Sequence, residues 1–150
     1  MKNNEDTLKV LLDTSFILPT LGVDTGVEVR ETLKKLNEIK VEIYYSSFSI
    51  LESIWVIIRL MRESRFNIER FRLGLRSLIE SHRYKCVVED SEVFIQALNL
   101  YTLGHKDLID NILYVDSLHF NLKLLTLDEE LIRFVQDNKL KNTILTPNQI

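Results

Sequence analysis

The chain has 150 residues, 45% of them apolar and 27% charged, with 19 Lys and Arg against 22 Asp and Glu and a formal net charge of -3. This composition predicts one soluble globular domain, residues 1–150, long enough to bury roughly two thirds of its unfolded surface without disulfides or structural zinc. The single Cys86 has no intrachain partner, and His82, His105 and His119 fall in no zinc-ligand spacing, so a reducing compartment, the cytoplasm, is expected. KNNEDTLK after Met1 is polar, and no apolar stretch approaches bilayer length, so neither a leader peptide nor a membrane helix is expected. The slight acid excess argues mildly against nonspecific binding to nucleic acid, which needs clustered Lys and Arg.

In chain order, LKVLLD (residues 8–13) reads as a short buried strand. VEVRETLKKLNEIK reads as an amphipathic helix with Val27, Leu33, Leu36 and Ile39 inward. A second strand follows in VEIYYS. From Phe48 to Met61, FSILESIWVIIRLM is apolar nearly all round, the mark of a helix packed between other layers. NIERFRLGLRSLIESH is a further helix and YKCVV a weak strand. Helices then cover roughly Glu92 to Leu103 and Lys106 to Phe120. LKLLT is a third clear strand, EELIRFVQDN a helix and TILTP a terminal strand. With Gly 4 and Pro 2 there is too little punctuation for a linker. Strands separated by helices predict an α/β fold, a three-layer α/β/α sandwich around a mainly parallel sheet of four to five strands.

Two of the strands run into aspartate, Asp13 and Asp128. In an open parallel sheet the residues just past the carboxyl ends of the strands face one crevice, where ligands bind. Each aspartate is equally at home as a helix N-cap. Glu52 lies early in the apolar helix, and Ser49-Ile50-Leu51-Glu52 also fits a capping box. Asp110 interrupts DLIDNILYVDSLHF, with Leu113 and Ser117 on its face. Asp107, one turn earlier, can share a site with it, although a first-turn acid is also what the helix dipole favours. Asp116, about 120° round the helix from Asp110, reads as solvated. Arginines cluster over residues 59–85, with Arg59, Arg62, Arg65, Arg70, Arg72 and Arg76 as candidate contacts for a nucleic-acid backbone. The alternative is a solvated helical face with pairs such as Arg59–Glu63 and Arg65–Glu69.

DTS after the first strand, Glu early in a long apolar helix, Asp opening a later helix and TxD after the next strand together resemble the PIN domain over nearly the whole chain. The resemblance implies an acid set of Asp13, Glu52, Asp110 and Asp128, with Thr14, Ser15 and Thr126 as orienting hydroxyls. It implies a nuclease that hydrolyses RNA, in some members as the toxin of a toxin–antitoxin pair held by a small partner protein, and often as a homodimer. Apolar residues in or beside the basic helices, Trp55, Phe66 and Phe71, fit such a dimer or else complete the core. Two departures stand out. The helix after Asp110 carries Ile, Leu, Tyr and Val where the family is often alanine-rich, and Asn121 replaces the usual glycine before the strand. Asn tolerates the left-handed conformation that such a turn needs.

Four carboxylates in one cleft repel, each pair at about 5 Å by roughly 3 kcal/mol at an effective dielectric near 20. A cation relieves this, and an oxygen-only donor set points to one or two Mg²⁺ or Mn²⁺ ions. Asp13, Glu52 and Asp110 would hold a first ion, with Asp128 positioning a second or the attacking water. Setting those four aside leaves 18 acids against 19 basic residues, which removes the argument against a nucleic-acid partner. Other chemistries fit poorly. Ser15 stands where a haloacid-dehalogenase-like phosphatase needs Asp, a receiver domain's acidic pair and lysine are missing, and no glycine-rich phosphate loop occurs. The rival from another class is a weakly active or inactive PIN fold that serves as an RNA-binding or protein-interaction module.

Overall fold

A computed structural model describes residues 7–63 and 65–150. The polar leader over residues 1–6 lies outside the described residues. Five strands, β1 (Leu8–Leu12), β2 (Val41–Ser46), β3 (Lys85–Val87), β4 (Lys123–Leu125) and β5 (Ile144–Leu145), form one sheet in the order β3-β2-β1-β4-β5. Every pairing is parallel, with Leu11 opposite Tyr44 on one side and Leu124 on the other. Seven α-helices accompany it among the described residues: α1 (Thr14–Ile17), α2 (Val27–Glu38), α3 (Ser47–Arg62), α4 (Ile68–Glu80), α5 (Ser91–Leu103), α6 (Leu108–His119) and α7 (Glu129–Asp137). The three-layer α/β/α expectation is met at five strands, all parallel.

The alternation along β1 sorts the layers, because neighbouring strand residues point to opposite faces. Val10 and Leu12 join Phe16, Ile17, Leu21, Val29, Leu36, Ile57 and Leu78 from α1 to α4. Leu11 joins Leu113, Tyr114, Leu131 and Val135 from α6 and α7 on the other face. Helix α5 is held against α6 by Val93, Ala97, Ile112 and Val115. The chain winds outward from β1 to β3 and then returns to the other side of β1 with β4. The carboxyl ends of β1 and β4 therefore flank the topological switch point.

Several expectations are corrected. In α2 the inward residues are Val29, Thr32 and Leu36 with Leu33 half-buried, an i, i+3, i+4, i+7 stripe, while Val27 and Ile39 are exposed. Helix α3 is not packed between layers. Ser49, Ser53 and Ile57 are its buried residues, and Leu51, Trp55, Ile58 and Met61 form an open apolar face, Trp55 being 55% exposed. The capping box at Ser49 does not form, because β2 runs straight into α3 and Ser46 becomes the cap, its Oγ accepting from the Phe48 N–H at 3.2 Å. Asn121 has φ 54, the left-handed turn its position requires, and the Leu122 N–H closes that turn on the Ser117 carbonyl at 2.9 Å.

Asp116 is the sharpest correction, since it is 0% exposed and neither carboxyl oxygen meets a donor. Helix α5 covers the face of α6 that periodicity alone assigned to solvent. Its neighbour is Glu89, already an acceptor from Ser46 Oγ at 2.5 Å. Two facing carboxyl groups bond only through a proton that one of them keeps. Burial, then contact with Glu89 and the charges of Glu89 and Asp90, push Asp116 up to about 9. The unfolded chain releases this proton near the ordinary carboxylate value and the folded one near 9. Stability is therefore lost progressively as pH rises between the two. Asp116→Asn keeps a donor toward Glu89 without an ionisation. It is expected to melt higher than wild type at pH 7.5, by a stability gain on the order of 1–2 kcal/mol, and to flatten the decline between pH 5 and 9 in thermal scans.

Candidate active site

Past the carboxyl ends of β1 and β4 lies an acidic cleft of about 230 Å³, lined by Asp13, Thr14, Ser15, Glu52, Asp107, Asp110, Leu127 and Asp128. All four acids of the expected set reach it, from four separate elements, together with Asp107. Thr126 is buried just behind. Leu127 is the one lining residue that the sequence reading missed, and an apolar residue between Thr126 and Asp128 carries no signal of its own.

The capping and site readings of the aspartates hold together. Asp13 Oδ1 accepts from the Ser15 N–H at 2.9 Å and caps α1, while Oδ2 accepts from Thr126 Oγ1 at 2.5 Å. Thr126 Oγ1 in turn accepts from the Asp128 N–H at 3.0 Å. One hydroxyl thus ties the acid after β1 to the acid after β4. Asp128 caps α7 through the Leu131 N–H at 2.9 Å, and Asp107 caps α6 through the Asp110 N–H at 3.0 Å. Glu52 lies beyond the first turn of α3, half-buried, and caps nothing. Ser15 contributes its backbone N–H to Asp13, and its carbonyl accepts from Thr25 Oγ1 at 2.7 Å.

Crowding shows in the protonation of the acids. Burial pushes Asp13 up to about 6, against the Thr126 and Ser15 hydrogen bonds and with a further rise from Glu52. Burial also raises Glu52, with Asp107 and Asp128 adding to it. Thr14 Oγ1 offsets part of that rise by proximity, yet it is buried without a formed hydrogen bond. Asp110 is pushed furthest, to about 9, by burial first and then by Asp128, Asp107 and Asp13. Its Oδ2 is buried and has no partner. Asp128 moves the other way. Burial pushes it up, but its contact with Asp110, the Leu131 and Glu130 N–H groups and the nearby His105 together hold it below the ordinary range.

This donor set fits a hard divalent cation, being carboxylate oxygens alone with one orphaned buried oxygen among them. Among the described residues no three His, Cys, Asp or Glu side chains are placed to share one ion as they stand. An ion that keeps several waters and takes one or two carboxylates, as Mg²⁺ does, suits such an open cleft.

The six arginines named as RNA contacts are all exposed along α3, α4 and the segment between them, and none lines the cleft. Arg70 lines a separate groove with Gly22, Asp24 and Arg30. Neither Arg59–Glu63 nor Arg65–Glu69 forms among the described residues; Glu69 pairs instead with Arg72 at 3.6 Å. Phe66 and Phe71 pack edge to face, 6.3 Å apart, against the inner core, which leaves Trp55 as the open aromatic of the three. Among the described residues no helix is long and apolar enough to cross a membrane.

The PIN domain family model matches residues 10–136, and the chain belongs to that family, whose members are in general metal-dependent nucleases. A toxin–antitoxin complex from Klebsiella pneumoniae is similar in structure at 16% identity and TM-score 0.58, over 94% of this chain and 99% of that one. VapBC2 from Rickettsia felis, solved bound to a DNA fragment from its promoter, gives 14% and 0.59 over 93% and 98%. FitAcB from Neisseria gonorrhoeae gives 17% and 0.57 over 94% and 99%. At these identities the likeness is one of fold. No curated protein matches the chain by sequence.

The elevated pKa of Asp110 has a consequence for stability. Below the ordinary carboxylate value both folded and unfolded forms hold the proton, and stability is lost as pH rises from there through about 9. At pH 7.5 in EDTA, Asp110→Asn is expected to melt above wild type. Saturating Mn²⁺ reverses the order, because binding to the folded state stabilises wild type alone. Calorimetric scans in the two buffers check both halves.

Proposed function

We propose that this chain is a metal-dependent endoribonuclease that hydrolyses RNA phosphodiester bonds at the acidic cleft. We further propose that it acts in the cytoplasm as the toxin of a toxin–antitoxin pair, restrained by a small antitoxin protein. The observation that carries the reading is Asp110, buried with an orphaned oxygen and faced by further carboxylates, an arrangement with no structural use for the charge it concentrates. The toxin role draws support from the structural likeness to the Klebsiella toxin–antitoxin complex.

Asp13, Glu52, Asp110 and Asp128 would hold one or two Mg²⁺ or Mn²⁺ ions. When bound, the metal supplies a water of lowered pKa and neutralises charge on the leaving oxygen. The protein's part is orientation. Thr126 fixes the Asp13 carboxylate and the start of α7 relative to each other, and the Ser15 N–H fixes the second Asp13 oxygen. Thr14 places a free hydroxyl beside Glu52, and Asp107 adds charge at the rim. Arg59, Arg62, Arg65, Arg70, Arg72 and Arg76 act at a distance from the cleft, attracting the RNA backbone to the molecule. Cleavage of a mixed RNA pool in Mn²⁺ tests the proposal. Asp13→Asn, Glu52→Gln, Asp110→Asn and Asp128→Asn are each expected to lose more than the roughly 10- to 100-fold that removal of an outer-shell partner costs. Equal cutting by wild type and variants would refute it, and no cutting by wild type would favour a noncatalytic module.

A homodimer is the second part of the proposal. Leu51, Trp55, Ile58 and Met61 form one stripe along α3, and Phe94, Ile95, Leu98 and Tyr101 leave α5 apolar outside. Phe48 and Phe94, 5.5 Å apart and edge to face, join the two helices. Contiguous apolar surface of this extent marks an association site. Sedimentation equilibrium is expected to show a wild-type dimer and a Trp55→Glu monomer; a monomeric wild type would contradict it.

A further inference from the structure

We propose that His105 is a positioning residue for the acidic cleft, acting through Asn111. The inference rests on the reading of that cleft as a metal site. His105 lies in the corner between α5 and α6 and is buried, as Asn111 is completely. The imidazole Nδ1 donates to Asn111 Oδ1 at 2.7 Å, and Asn111 Nδ2 donates back to the His105 carbonyl at 2.8 Å. A weaker bond from Asn111 Nδ2 reaches the Ala97 carbonyl of α5 at 3.4 Å. The two side chains thus close a ring across the corner. It leaves the amide fully used and seats the imidazole against the Phe134 ring of α7, with centroids 5.1 Å apart.

What the ring holds is specific. Asn111 directly follows Asp110, and Asp107, two residues after His105, caps the same first turn of α6. Phe134 lies on the helix that Asp128 caps. One imidazole therefore fixes the elements carrying Asp107, Asp110 and Asp128 in relation to one another. A buried polar pair at such a corner could be apolar at no loss of fold. Its place beside three acids that repel each other gives it a use, since mutually repelling carboxylates spread unless their backbone is held. Groups that orient metal ligands in this way carry about 10- to 100-fold in metal affinity.

The test uses the full chain and Mn²⁺ alone, with affinity measured by electron paramagnetic resonance titration and folding followed by thermal melting. His105→Ala and Asn111→Ala break the ring from either side, and each is expected to weaken Mn²⁺ binding about tenfold. His105→Asn returns an amide N–H near the Nδ1 position and is expected to restore binding to within about twofold. Gly74→Ala is the control for lost stability alone, because its added methyl would meet the Thr20 carbonyl oxygen at 2.0 Å in the layer across the sheet. It is expected to lower the melting temperature with Mn²⁺ affinity intact. Wild-type affinity in His105→Ala, no rescue by His105→Asn, or an equal loss in Gly74→Ala would overturn the positioning role while leaving the metal site standing. Absence of Mn²⁺ binding by wild type would overturn the metal site and this role with it.

Discussion

Like charges are forced together at the carboxyl ends of β1 and β4, and much of the local structure answers that constraint. Asp13 and Asp128 approach because their strands are hydrogen-bonded neighbours, with the Asp13 N–H itself donating to the Leu125 carbonyl at 3.1 Å. The Thr126 hydroxyl then serves both acids, donating to one side chain and accepting from the other's backbone. Asp110 is brought in by α6 and buried among the other acids, its Oδ2 without a partner, and it holds its proton up to about 9 as a result. A cation bound among these acids would displace that proton to solvent and replace repulsion with coordination.

The acids also have structural work. Asp13, Asp107 and Asp128 each cap a helix, so their backbone positions are set by capping bonds that do not depend on metal. Asp110 and Glu52 have no such bond and are the two whose charge is least accounted for by the fold. The division makes chemical sense: three carboxylates are held by their helices, and two are free to adjust around a ligand. The carboxyl pair Asp116–Glu89, the first buried and the second half-buried, is a second case of crowded acids, resolved by a proton instead.

Much of this was legible in the sequence. The strands at 8–13, 41–46 and 122–126 announce themselves by short apolar runs with polar ends, and the acid set of Asp13, Glu52, Asp110 and Asp128 follows from the resemblance to the PIN domain. What periodicity could not give was the partner of each helix face. Asp116 lies about 120° from Asp110 and looks solvated until α5 is laid over it, and α3 looks buried until its outer stripe proves to have no cover among the described residues. Both errors concern which helix covers which, a property of three-dimensional packing that one helix's own pattern does not contain. The Ser49–Glu52 capping box misled for a local reason, since a strand that passes into a helix without a turn moves the cap to its last residue, Ser46. His105 carried no spacing signal and became meaningful only through its contacts with Asn111 and Phe134.

The central claim is that the crowded carboxylates at the β1–β4 switch point are a cation site. Crystals of the wild-type protein soaked in Mn²⁺, with data collected at a wavelength where manganese scatters anomalously, test it most directly. The account requires anomalous density within coordination distance of Asp13 and Asp110, shared with Glu52 or Asp128. A cleft that stays empty under saturating Mn²⁺, or density only at other surface acids, would contradict it.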